Sequence, residues 1–168
     1  PEVVIYNLGI WEQEAFSSRY DFLNDQDDSV IDIINTNITG AILVLKHLLT
    51  QMRGLEKPHV ILTGSTSGLP HSGRPEVSFA ASKFALNGIA DALREGFRQD
   101  GLAVTCLQLG YLNTEDDLSV STSVAAARGE GTLIPVHDVV LMVKAMLSLS
   151  HASFVRELVM PALLDERF

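Results

Sequence analysis

Four short apolar runs, Val3–Tyr6, His59–Thr63, Ala103–Leu109 and Glu157–Met160, alternate with longer amphipathic stretches. This alternation narrows the possible folds more than any other feature of the chain. The runs are mostly apolar at successive positions, as strands covered by helices on both faces must be. Helical periodicity is expected near Ser29–Met52, Val77–Gln99 and Val136–Leu149. Strands separated by helices pair in parallel through right-handed crossovers. The expected architecture is therefore one α/β domain over residues 1–168, a parallel sheet flanked by helices. Loops rich in Gly, Ser and Pro follow two of the strands, at Gly64–Pro75 and Gly110–Thr132. Ligands in such folds bind beyond the carboxyl ends of the strands, so a site is expected there.

Composition removes several functions. The net charge of −9 leaves no basic surface for phosphate, which argues against nucleic acid and anionic membrane partners. No continuous apolar run reaches the ~18 residues of a membrane span. Cys106 is the only cysteine, so no internal disulfide forms and a reducing, cytoplasmic setting is expected. The five histidines lack metal-ligand spacing. Gly64-Ser65-Thr66-Ser67-Gly68 has Thr66 at its centre, where a hydrolase elbow needs serine, and His71 and His137 have no obvious acid partner nearby in sequence. The acidic run Asp25-Gln26-Asp27-Asp28 reads as the cap of the first long helix. Glu115-Asp116-Asp117 reads as a solvated loop or a similar cap, and neither run has the pattern of a calcium loop.

At about 100° per residue, the middle helix carries Ala81, Ala85, Gly88, Ala92 and Gly96 on one narrow stripe. Leu86, Ile89, Ala90, Leu93 and Phe97 form a bulkier stripe beside it, and Lys83, Asn87, Asp91, Arg94 and Arg98 take most of the remainder. Small residues in a row allow another helix or the sheet to approach closely. A well-buried internal helix and a self-association surface both fit. In the first helix Val30, Ile34, Ile38, Ala41, Leu45, Leu48 and Met52 share a face, from which Asn37 projects. A buried amide needs partners or costs about 1–3 kcal/mol, so Asn37 is either a satisfied core residue or part of a site.

Five local patterns follow one another along the chain: Tyr6-Asn7-Leu8-Gly9, Asn35-Thr36-Asn37-Ile38-Thr39-Gly40, Leu62-Thr63-Gly64-Ser65, Phe79 followed by Lys83, and Gln108-Leu109-Gly110-Tyr111-Leu112-Asn113-Thr114. In order and spacing they resemble the short-chain dehydrogenase/reductase family, over nearly the whole span from Val3 to about Met160. The resemblance implies a partial Rossmann-type sheet, the C-terminal part of such a domain. It implies that Asn7 and Gly9 close the central strand and that Asn37 supports a water beside the active-site lysine. It implies that Ser65 polarises a substrate carbonyl and that Lys83 binds cofactor ribose. Gly110, Leu112 and Thr114 would contact the nicotinamide. The implied cofactor is NAD or NADP, the implied substrate a small-molecule carbonyl or alcohol, and the implied assembly a homodimer or homotetramer through the middle helix and the one before it.

Two departures bear on activity. Phe79 stands where the family has a tyrosine, whose phenol passes a proton to or from the reacting oxygen after the lysine lowers its pKa. Loss of a positioned general acid costs about 10²–10⁴ in rate. No Gly-rich turn for a dinucleotide pyrophosphate follows any strand of this sequence. Tyr111 and Tyr6 are the remaining phenols to consider, and loop tyrosines are more often packing residues. Two functions follow: an NAD(P)-dependent oxidoreductase weakened by Phe79, or a cofactor-sensing or partner-binding module that does not turn over. Because the chain opens directly on a strand, a preceding segment is expected, and by itself the chain is expected to be oligomeric or poorly soluble.

Overall fold

The computed structural model describes residues 1–166. β1 (Val3–Tyr6), β2 (His59–Thr63), β3 (Ala103–Leu109) and β6 (Glu157–Met160) form a four-stranded sheet in that order. Every pair is parallel, with Tyr6 beside Leu62, Thr63 beside Leu107 and Leu109 beside Met160. All four strands have the expected bounds.

Alternation along the strands divides the core. Val4, Tyr6, Val60, Leu62, Val104 and Cys106 face α2 (Gly40–Met52) and α3 (Val77–Gly96). Ile61, Leu107 and Leu109 face α5 (Val136–Leu147), chiefly Met146, Val139 and Val143. That second layer does not reach the outer strand: Val3 and Ile5 point to the same face as Ile61 and stay exposed, Ile5 by 50%. Among the described residues β1 pairs with β2 alone, which leaves its outer edge unpaired there.

The first long helix is not uniform. α1 (Asp27–Ile34) runs into a π-helical turn, Asn35–Thr39, before α2. The turn changes the phase of the buried face, which reads Ile33, Asn37, Ala41, Leu45, Leu49 and Met52. Over Asp27–Met52 this composite helix is long and apolar enough to cross a membrane by length and composition, yet the inner face of α2 packs on the sheet as core. Asp27 and Asp28 occupy the first turn, where they favour the helix dipole. Gln26 is the N-cap and makes no side-chain cap bond, so the expected acidic cap is a charge effect only.

The segment read as a long loop is partly ordered. β4 (Leu112–Asn113) pairs in parallel with β5 (Ile134–Pro135), and α4 (Thr122–Arg128) lies between them. Asp116, expected in a solvated loop, is buried; it accepts from Asn113 Nδ2 at 2.9 Å and pairs with Arg128. The charge is held inside because two donors converge on it.

At the opposite end of the sheet, Thr105 Oγ1 donates to Val155 O at 2.6 Å and must therefore accept from His59 Nε2 at 2.8 Å. This arrangement places the His59 proton on Nε2. Burial, and then the Lys57 charge, lowers the His59 pKa.

Candidate active site

β2 ends in a turn whose shape depends on two close approaches. A Cβ on Gly64 would lie 2.1 Å from Gln108 Oε1, and that oxygen accepts the Ser65 N–H at 3.0 Å. Gln108 is fully buried on β3, with its amide nitrogen on Asn87 and Glu157. Ser65 then caps a 3₁₀ turn, Thr66–Gly68, its Oγ accepting from Ser67 N at 3.1 Å. The Ser65 hydroxyl proton has no acceptor among the described residues and is free for a ligand. A Cβ on Gly68 would lie 2.9 Å from Lys83 O, so the turn rests directly on the backbone of α3.

Lys83 is 8% exposed, although it shares the polar stripe of the helix wheel. Its Nζ donates to Thr63 O at 3.0 Å and sits 5.3 Å from the centre of the Phe79 ring. No carboxylate pairs with it among the described residues. Burial without a counter-ion disfavours the ammonium and lowers the pKa to about 8. Asn87 and Arg94, on the same side of α3, reach Gly68 O and Val104 O. Lys83, Asn87 and Arg94 thus reach inward, whereas Asp91 and Arg98 of the same polar stripe stay exposed.

The first turn of α3 is held from another part of the chain. Glu12 Oε1 accepts from Ser78 N at 2.9 Å and Phe79 N at 3.0 Å, and Tyr20 Oη accepts from Val77 N at 3.1 Å. In return Glu76 Oε1 accepts from Phe16 N at 2.9 Å. Both side chains are buried, and each satisfies backbone amides of the other's segment. Burial is the main cause that pushes the Tyr20 pKa up to about 12. This strap carries Trp11 and Phe16, whose rings meet Phe79 edge-on at 6.4 and 5.1 Å. Its near end is tied by Asn37, which exchanges two 2.8 Å bonds with the Ile10 backbone and donates to Ser82 Oγ at 2.9 Å. Both amide protons of Asn37 are committed, so it is a satisfied buried amide.

Ser65, Phe79 and Lys83 line one cleft of about 240 Å³ beyond the carboxyl ends of β1, β2 and β3. Asn7, Gly9, Gly110 and Leu112 contribute to its walls. Asn37 lies beneath it: a Cβ on Gly9 would be 3.5 Å from Asn37 Oδ1 and 3.6 Å from Lys83 Nζ. Thr114 is exposed and does not line the cleft. Tyr111 does, accepting from Arg74 Nη1 at 2.9 Å under a guanidinium that stacks on its ring and is paired with Asp165. The Phe16 ring meets both Tyr111 and Phe79 edge-on, at 5.8 and 5.1 Å. Tyr6 is core, and no histidine lines the cleft.

Sequence reading did not single out Gln108, Glu12, Trp11, Phe16 or Arg74. The one usable signal was Gln108 in an otherwise apolar central strand. The others act through tertiary contacts with no local pattern.

Comparison with known proteins agrees with this geometry. The sequence model described as short chain dehydrogenase matches residues 2–124. A dehydrogenase/reductase SDR family protein 7-like protein of Anopheles gambiae is 28% identical over 132 residues, covering 77% of this chain and 38% of that protein. The chain spans about two fifths of the length of such curated relatives. A 3-oxoacyl-[acyl-carrier protein] reductase with bound NAD from Brucella melitensis superposes with a TM-score of 0.71 at 21% identity, over 95% of this chain and 60% of that one. A metagenomic short-chain oxidoreductase in complex with NADP gives 0.69 at 20% identity, over 96% and 62%. With nearly three quarters of its residues inside the family model and a parallel sheet that ends in this cleft, the chain belongs to the short-chain dehydrogenase family.

Proposed function

We propose that this chain forms the substrate and nicotinamide side of an NAD(P)-dependent oxidoreductase acting on a carbonyl or alcohol carbon, with turnover suppressed by Phe79. The observation that carries this reading is the convergence of Ser65, Lys83 and a hydroxyl-free ring in one cleft. The donor set fits the nicotinamide-ribose end of a dinucleotide. Lys83 Nζ would hold the ribose, and the Gly110–Leu112 backbone would flank the ring. The bound nucleotide supplies or accepts hydride. Ser65, its Oγ oriented by the Ser67 N–H, donates its free proton to the substrate oxygen and polarises the carbonyl. No side chain at position 79 can complete the proton transfer, so the proton must come from water, at a cost of about 10²–10⁴ in rate.

The test is Phe79→Tyr assayed against broad carbonyl substrates with NADH and NADPH. Turnover should rise by about 10²–10⁴ and disappear when Lys83→Ala is added. A second reading, a cofactor-sensing or partner-binding module without turnover, is favoured by the packing of Phe79. The ring is 6% exposed and wedged between Trp11, Phe16 and Lys83. Nucleotide binding by the wild type, with no gain from Phe79→Tyr, would support that module.

We further propose that copies of the chain associate through α2 and α3. Ile42 is 47% exposed beside an open apolar groove of about 780 Å³ that includes Leu45, Gly88, Ile89 and Phe97. Analytical ultracentrifugation should show a dimer or tetramer that Ile42→Lys converts to a cooperatively melting monomer. A monomeric wild type counts against this assembly.

A further inference from the structure

An amine inside a desolvated cleft, without a counter-ion, is a chemical group in its own right. The Lys83 N–H bond to Thr63 O fixes the direction of Nζ, Lys83 lines the cleft, and Gly9 of the same wall lies close to Nζ, where an added Cβ would be 3.6 Å away. Opposite polar partners there are few: Ser65 offers an uncommitted hydroxyl proton, and Arg74 is engaged with Asp165 and Tyr111. Asn7, Thr66 and Ser67 also line the cleft, and one part of its wall is aromatic. Trp11, Phe16, Phe79 and Tyr111 form a chain of ring contacts at 5.1–6.4 Å, all lining the same cleft. A phenol at position 79 would place an acidic hydroxyl near the amine. The phenyl ring instead gives it an apolar neighbour.

We propose that Lys83 is the nucleophile of a reversible imine with a small aldehyde bearing a flat apolar group. The neutral amine attacks the carbonyl carbon, a C–N bond forms, and the carbonyl π electrons move to oxygen, which takes the Ser65 proton or one from water, while the nitrogen, now cationic, gives up a proton that restores the Ser65 hydroxyl or the water. The carbinolamine then loses water, so that R–CHO and Lys83–NH₂ give R–CH=N–Lys83 and H₂O. No oxidant or reductant is consumed. Desolvated lysines in apolar pockets are activated in this way, and a pKa near 8 leaves a substantial neutral fraction at mildly alkaline pH. The inference uses the cleft of the proposed oxidoreductase but requires neither nucleotide nor hydride transfer.

The experiment treats the full chain with benzaldehyde and sodium cyanoborohydride, without nucleotide, and maps benzylated lysines by peptide mass spectrometry over a pH series. Lys46, Lys57 and Lys144 are the internal references. Lys83 should react at least about tenfold faster than each of them at pH 8, because ordinary lysines remain protonated up to ~10.4. Its rate should level off just above pH 8, and the preference should vanish in denaturant. Burial alone would make Lys83 the slowest of the four, so equal or slower labelling overturns the proposal. Selective labelling without any turnover in Phe79→Tyr would uphold the imine and reject the oxidoreductase reading.

Discussion

The two halves of α3 meet opposite problems. Near Phe79 and Lys83 the helix is crowded and polar groups are buried. A turn presses on the Lys83 carbonyl, Glu12 holds the first amides, and Lys83 has been taken out of water. Along Ala85, Gly88 and Ala92 the same helix is open and apolar, with no atom within 4 Å of where a Gly88 Cβ would sit. The surroundings of two glycines separate the regions: Gly68 is needed because backbone fills its side-chain space, whereas Gly88 has room to spare. One end is packed tightly around buried polar groups, where position matters most. The other has area left to cover.

Three measurements sharpen this contrast. The largest effect is expected at Lys83. In the unfolded chain it holds its proton to about 10.5, whereas in the folded chain it releases it near 8. Between those values the unfolded state binds more protons, so stability should rise with pH. Relative to Lys83→Met, wild-type unfolding free energy should grow by on the order of 3 kcal/mol across that window, read from urea melts. Tyr6 and Tyr20, whose pKa values are raised, act in the opposite sense at higher pH and cancel in the comparison. A pH-independent difference would show that Lys83 is better solvated than its 8% exposure implies.

The next effect is at Gly68. Gly68→Ala must push the Thr66–Gly68 turn away from α3 and should cost about 1–3 kcal/mol, with a loss of any ligand affinity that depends on Ser65. The smallest is at Gly88. Gly88→Ala should stabilise the helix by about 0.5–1 kcal/mol and leave the cleft unchanged. If both alanines behaved alike in chemical denaturation, the distinction between crowded and open halves would fail.

Much of the fold was legible from the chain alone. Short, nearly continuous apolar runs marked β1, β2, β3 and β6 with their bounds, because strands covered on both faces have few other readings. Ser65, Phe79 and Lys83 could be brought together in expectation because the resemblance to the short-chain dehydrogenase/reductase family implies a shared site for them. The stripes of α3 were also legible, but not which stripe was inward. Lys83, Asn87 and Arg94 look like a solvated face on a wheel, and the carbonyls that receive them lie on distant segments. The order within residues 110–133 escaped for a similar reason, since it depends on Asp116 meeting Asn113 and Arg128.

What the sequence determined by itself was the parallel α/β layer and the absence of a hydroxyl at position 79, since both follow from residue type and local period. Only the tertiary structure decided the electrostatic state of the cleft. A charge is costly or cheap according to the water and partners around it, and those are supplied to Lys83 by Thr63, Phe79 and the strap, from three separate parts of the chain.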